Sequence, residues 1–252
     1  MLYKDIVFGP IHSRRLGISL GINLLPIEKK ICSFNCIYCE CGLNTSGKNL
    51  PFNSKEQVEE ALIERLTQMK NEGMLPDTLT FAGNGEPTLH PDFLPIVEKV
   101  IEIRDRFAPQ CKISVLSNAT QIGKENVFRA LQKVDNNILK LDAVEQLLFE
   151  QINQPNAGIK VKDIIEHLFR FNGDFTLQTM FLRGEVNGKI IDNTLPSHVD
   201  KWIEIVKQIR PKKIMLYSLD RPAPYDSLQK VSPNELREIA QKLVGFDVSV
   251  AE

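Results

Sequence analysis

From Gly17 onward the chain alternates short apolar strands with amphipathic helices, and this rhythm confines it to α/β architectures built on parallel strands. Residues 17–24 place Ile18, Leu20, Ile22 and Leu24 on one face of a strand. Ser54, with Gln57 three residues later, predicts a capped helix that runs to Gly73, and Thr78–Ala82 predicts the next strand. The unit then recurs: a helix over 93–103 before a strand at 113–117, and a helix over 127–134 before a strand at 138–141. Helical pieces near 144–152 and 160–171 precede a strand at 175–181, and a helix near 197–209 precedes one at 213–219. The expected fold is α/β: an incomplete (β/α)6, TIM-like barrel of parallel strands, formed by residues 1–252 as a single domain. Residues 1–16 read as an N-terminal extension, and residues 232–252 as a closing helix, capped by Ser232 and Glu235, with a short final strand.

Between the first strand and the first helix stands Cys32-Ser-Phe-Asn-Cys36-Ile-Tyr38-Cys39-Glu-Cys41, a C-x₃-C-x₂-C spacing with one further thiol. A disulfide uses two thiols and would strand the third, so the loop reads as a metal site. An iron–sulfur cluster normally takes four thiolates, so three leave one iron open to bind something else. The alternative is a closed zinc knot with Cys41 as the fourth ligand. Either centre suits a reducing compartment, because four of the five cysteines crowd into one loop. Cys111, the fifth, opens an apolar strand and reads as a buried free thiol.

Composition excludes several classes. Apolar residues at 42% and charged residues at 25% describe an ordinary globular protein, and no apolar run is long enough to span a bilayer. The opening residues carry no basic region followed by an apolar stretch and a small-residue cleavage site, so the expected location is the cytoplasm, with no membrane partner. A net charge of −1 gives no general attraction to nucleic acid, although His12-Ser-Arg14-Arg15 is a local basic patch. Placed ahead of the first strand, that patch is expected at the end of the barrel opposite the cysteines, where it is either a grip for a phosphate or carboxylate or a charged turn.

The second strand ends in Gly83-Asn84-Gly85-Glu86-Pro87, a turn whose glycines allow close backbone approach and whose only charge is Glu86. Together with the cysteine spacing and the aromatic Tyr38 before the last cysteine, it resembles the radical S-adenosylmethionine (SAM) enzymes, with Asn84 interrupting the family's G-G-E-P. The resemblance implies a [4Fe–4S] cluster on Cys32, Cys36 and Cys39, with Cys41 no ligand, and SAM on the open iron. It implies that Gly83, Asn84, Gly85, Glu86 and Pro87 hold the methionyl part of SAM, that Tyr38 helps place the adenine through its backbone, and that Ser117 and Asn118 hold the ribose unless they serve as a helix cap.

Lys140 and Asp142, alternating with Leu139 and Leu141, are expected to point inward, as an ion pair or toward SAM or substrate. On the next strand Gln178 shares a face with Thr176 and Met180 and is either a polar contact for a ligand or a satisfied core amide. Tyr217, Asp220 and Arg221 stand at the mouth on the substrate side, and His90, His167 and His198 are expected at surface or capping positions. The runs at 13–23 and 218–222 look most like radical SAM proteins related to the tRNA wyosine-base synthases.

The implied activity is reductive cleavage of SAM to a 5′-deoxyadenosyl radical that abstracts hydrogen from an RNA base or another substrate, with electrons from a donor such as flavodoxin or ferredoxin. The alternatives are activation of a glycyl-radical enzyme, which makes the substrate a protein, or a non-catalytic zinc or iron–sulfur protein.

Overall fold

The computed structural model describes residues 2–13, 16–45 and 50–251. Arg14 and Arg15 lie outside the described residues. In hydrogen-bonding order the main sheet runs β1 (Val7–Ser13), β2 (Gly17–Ile22), β3 (Thr78–Phe81), β4 (Lys112–Ser117), β5 (Asn136–Lys140), β6 (Thr176–Met180), β9 (Lys213–Tyr217) and β11 (Val248–Val250). Between them lie α1 (Lys55–Asn71), α2 (Phe93–Phe107), α3 (Glu125–Leu131), α4 (Gln146–Asn153), α5 (Val161–Leu168), α6 (Pro196–Ile209) and α7 (Pro233–Gln241). Strands β2, β3 and β4 are parallel, as are β5, β6, β9 and β11. This is the alternation and strand order of an incomplete (β/α)6 barrel, with β11 joining as a last parallel strand beside β9.

The chain divides into two compact units. The first comprises the described residues of Met1–Cys32, Asn44–Ser117 and Gln121–Asn137; the second comprises Ser33–Leu43, Asn118–Thr120 and Ile138–Glu252. In the first, Leu20, Ile22, Leu79, Phe81, Ile113 and Val115 are sealed on the helix side, where Phe81 meets Phe93 of α2 edge-on at 5.8 Å. Both capping boxes form: Ser54 Oγ accepts from Gln57 N–H at 3.2 Å, and Ser232 Oγ accepts from Glu235 N–H at 3.2 Å.

The N-terminal extension contains a strand. β1 pairs antiparallel with β2, from Val7 opposite Ile22 to Ser13 opposite Gly17. Gly9 and Pro10 weaken the strand pattern in sequence, and the structure absorbs them as a bulge between Phe8 and Ile11 on an edge strand. His12 lies at the amino end of β2, as expected of that patch, while residues 3–7 run beside its carboxyl end. The strand expected over 175–181 stops at Met180, and a hairpin follows at once: β7 (Leu182–Val186) and β8 (Lys189–Asp192). Asn187 and Gly188 both take positive φ, 51° and 76°, the conformation of a two-residue hairpin turn. With β10 (Gln229–Lys230) these strands form a separate three-stranded sheet in the order β10-β7-β8.

Candidate functional site

The expected site residues are divided between the units. The first carries Cys32, the Gly83–Pro87 turn and Ser117; the second carries Cys36, Tyr38, Cys39, Asn118, Lys140, Asp142 and Gln178.

In the first unit the turn after β3 is docked against the entry to the cysteine loop. Ile31 N–H donates to Asn84 O at 2.9 Å, and Glu86 N–H donates to Ile31 O at 3.0 Å. Gly85, at φ +135°, has to be glycine: a Cβ there would stand 1.8 Å from Ile31 O. The Asn84 side chain, buried, holds the N-terminal segment and Pro26 in place. Its Nδ2 donates to Tyr3 O at 2.9 Å and Pro26 O at 3.0 Å, while its Oδ1 accepts from Tyr3 N–H at 2.8 Å. The residue that interrupts the family's motif therefore does fastening work. Glu86, also buried, caps the following 3-10 turn: Oε1 accepts from Thr88 N–H at 3.1 Å, Thr88 Oγ1 at 2.5 Å and Ser117 Oγ at 2.9 Å. Asn44 Nδ2 reaches Cys32 O at 3.4 Å.

In the second unit, residues 33–37 are strapped to the segment that leaves α4. Asn35 N–H donates to Asn153 O, Ile37 N–H to Ile152 O, each at 3.0 Å, and Asn156 N–H to Ser33 O at 2.9 Å. Ser33 is held from its other side as well, accepting from Asn118 Nδ2 at 2.9 Å and sharing a 2.7 Å hydrogen bond with Thr120 Oγ1. Asn118 thus positions the cysteine loop. Cys39 N–H bonds Cys36 O at 3.1 Å, so these two thiols share one turn, and Gly42 N–H closes the next turn on Cys39 O at 2.9 Å.

Beneath the loop lies a charged cluster contributed by strands. The Tyr38 hydroxyl donates to Asp142 Oδ2. Asn153 Nδ2 donates to the same oxygen at 2.7 Å, and Met180 N–H to Asp142 Oδ1 at 2.9 Å. Lys140 Nζ lies 3.8 Å from Asp142 Oδ1, donates to Tyr217 Oη, and sits 5.0 Å and 5.2 Å from the ring centres of Tyr38 and Tyr217. Burial opposes the charge of Lys140, but Asp142 and Tyr217 outweigh it and raise its pKa. Burial, reinforced by Asp142, pushes Tyr38 well up. Burial also lifts the Cys36 thiol to about 11, although Lys140 and a hydrogen bond from Asn153 pull the other way.

The registers Lys140 to Gln178 to Met215, and Met180 to Tyr217, put these side chains on one face of the sheet. Phe175, Leu177 and Phe181 occupy the opposite face, where Phe181 meets Trp202 of α6 and Phe175 meets Phe171. The helix side is sealed, with Leu139, Leu177, Ile214 and Leu216 at 0% exposure, whereas Gln178, Met180 and Met215 each retain 6%. Among the described residues Gln178, 6% exposed, makes no side-chain hydrogen bond.

The histidines behave as caps or surface groups. His90 is buried, follows the 3-10 turn at Pro87–Leu89 and accepts from Asp92 N–H at 3.0 Å; His198 meets Glu145 at the start of α4, and His167 is half-buried. Arg221 pairs with Glu40 of the cysteine loop at 2.7 Å, and Asp220 with Lys230 at 3.7 Å. Cys111 is free and buried, its thiol pushed up to about 12 by burial.

Sequence reasoning missed Asn153 and the 152–156 strap. The Asn-Gln-Pro-Asn run after a helix was the available signal, since such a run breaks the helix and exposes backbone groups for pairing.

The donor set fits an iron–sulfur cluster. Among the described residues no cysteine is in a disulfide, Cys32 and Cys39 retain partial exposure, and Cys36 and Cys39 share a turn. Among the described residues no three cysteine, histidine or acidic side chains converge at ligand distance, so the fit is one of donor chemistry and loop spacing.

A family model described as the radical SAM superfamily matches residues 29–194. A UPF0026 protein of Helicobacter pylori is 32% identical over 252 residues, covering 97% of this chain and 76% of that protein. Among solved structures, a radical SAM methyltransferase from Sphaerobacter thermophilus aligns with TM-score 0.68 at 13% identity, over 92% of this chain and 65% of the other. Archaeal TYW1 aligns with TM-score 0.53 at 16% identity, over 91% of this chain and 72% of the other. At these identities the two structures establish a shared fold.

Proposed function

Because the chain belongs to the radical SAM superfamily, and within it to the UPF0026 proteins, we propose that residues 1–252 act as one radical SAM core that abstracts hydrogen from an RNA base. Superfamily members are enzymes that use a [4Fe–4S] cluster and SAM. When bound, these groups supply the electron and the 5′-deoxyadenosyl radical. In this reading Cys32, Cys36 and Cys39 hold the cluster, and Cys41 is no cluster ligand. Backbone carbonyls of Gly83–Pro87, with Glu86, receive the amino group of SAM; Ser117 serves its ribose and Tyr38 its adenine. Lys140 and Gln178 meet polar atoms of SAM or substrate on the face turned away from the helices, while Asp142 holds Lys140 and Tyr38 in place. A flavodoxin or ferredoxin of the reducing cytoplasm is the electron donor.

The observation that carries this reading is the C-x₃-C-x₂-C loop, strapped by residues 152–156 in a chain whose family model spans both. RNA as substrate is supported by the likeness in fold to archaeal TYW1 and by the sequence resemblance to the wyosine-base synthases.

The test is anaerobic reconstitution with iron and sulfide, then reduction with and without SAM. A SAM-perturbed EPR signal and release of 5′-deoxyadenosine are expected; a colourless zinc protein indifferent to SAM would sink the assignment. Cys36→Ala should abolish iron binding while Cys41→Ala leaves iron content unchanged, and equal losses would overturn the ligand set. Co-purifying RNA, released by salt, is expected for the RNA reading.

A protein substrate, such as a glycyl-radical enzyme, is the second reading. It is favoured by β8, an edge strand of the small sheet whose Ile190 is 83% exposed and whose backbone can pair with another chain. A stable protein complex without a salt slope would select it.

A further inference from the structure

We infer that Asn153 tunes the reduction potential of the cluster through a hydrogen bond from its side-chain amide to the sulfur of Cys36. The inference rests on the proposed role of Cys36 as a cluster ligand. Asn153 is the last residue of α4 and is 1% exposed. Its Nδ2 lies 3.5 Å from Cys36 Sγ, 2.7 Å from Asp142 Oδ2 and 3.4 Å from Tyr38 Oη. An amide nitrogen carries two hydrogens, so it can serve the carboxylate and the sulfur together.

The backbone removes the freedom to do otherwise. Asn153 O and Ile152 O accept from Asn35 N–H and Ile37 N–H, the residues on either side of Cys36, so the amide and the sulfur are mounted on the same paired segments. Fixed, desolvated donors of this kind act strongly, because the surrounding dielectric is low and no reorganisation is required. Uptake of an electron makes the cluster sulfurs more negative, and an N–H aimed at one of them stabilises the reduced form more than the oxidised form. The asparagine therefore raises the potential and makes the cluster easier to reduce. Asp142, a carboxylate that interacts electrostatically with Cys36, pushes in the opposite direction.

These opposite signs separate tuning from mere support. The experiment is an EPR-monitored redox titration of the reconstituted protein without SAM, with iron content measured alongside. Asn153→Leu should retain iron and shift the midpoint negative, toward a roughly tenfold lower reduced-to-oxidised ratio at a fixed applied potential, about 59 mV for a one-electron couple. Asp142→Asn should shift it positive. Midpoints unchanged, or moved in the same direction by both variants, would overturn the inference, because a loosened loop has no reason to distinguish them. Should Asn153→Leu fail to hold iron, wild-type protein carrying ¹⁵N only in asparagine side-chain amides decides the matter. A nitrogen hyperfine coupling to the reduced cluster is expected, and its absence would overturn the proposal. If the wild type binds no cluster, or Cys36→Ala keeps one, the ligand assignment fails, and that result is distinct from either outcome above.

Discussion

The two units line their strands differently on the face turned away from the helices. In the first, Ser19 and Thr80 share a 2.8 Å hydrogen bond and Thr78 and Ser114 one of 2.7 Å, while Asn136 Nδ2 donates to Ser114 at 3.0 Å. These are short neutral groups that satisfy one another across the strands. In the second, the same kind of face carries Lys140, Asp142, Tyr217 and Gln178, whose amide makes no side-chain hydrogen bond among the described residues. A saturated hydroxyl ladder holds strands together and has little left to offer a ligand. A charged cluster beside an open amide keeps polar capacity in reserve, which is costly in a fold and useful in a site.

The largest expected break in this contrast is Asp142→Ala. It leaves the half-buried Lys140 without its carboxylate and the buried Tyr38 without its acceptor, so the protein should lose about 3 kcal/mol, the low end for breaking a buried pair, read by urea denaturation. A loss no larger than that of a surface substitution would show that the pair is not buried as the geometry says. Gln178→Leu should do the reverse: unfolding nearly unchanged, but the SAM or substrate concentration giving half-maximal 5′-deoxyadenosine formation raised by roughly tenfold, the effect of one lost hydrogen bond to a charged or polar partner. Unchanged kinetics would make that amide a bystander.

Thr80→Val removes the hydroxyl that meets Ser19 and should cost about 1 kcal/mol of stability without altering SAM cleavage. A loss of activity there would erase the distinction between the two faces. The smallest effect belongs to Glu235, whose carboxyl is lowered to about 2 by hydrogen bonds from Ser232 and then from Arg183. Because its folded pKa is depressed, its stabilisation is fully present above the ordinary value of 4.5 and is lost as pH falls through about 2. Glu235→Gln should therefore lower stability slightly near neutrality and converge on the wild type as pH falls through about 2, leaving a flatter profile between.

Much of this molecule could be read from residues alone, and the reasons are local. The strand and helix alternation follows from side-chain periodicity, and the capping boxes at Ser54 and Ser232 form as their spacing requires. Gln178, Thr176 and Met180 share a face because strand geometry alternates side chains without regard to partners. Where a local signal was weak, reading failed: Gly9 and Pro10 disguised β1, and the Asn187-Gly188 turn of the β7–β8 hairpin went unread.

What sequence determined by itself was the class of chemistry: the C-x₃-C-x₂-C spacing marked a metal centre, cluster or zinc knot, and its resemblance, with Gly83–Pro87, to radical SAM enzymes selected the cluster. Tertiary structure decided what several of these side chains touch. It turned Asn84 into a fastener for Tyr3 and Pro26, set Asn118 against Ser33, and brought Asn153 to Cys36 across 117 positions of chain. Such pairings arise from strand register and from the path of the chain after α4, long-range consequences of packing to which no spacing along the sequence gives access.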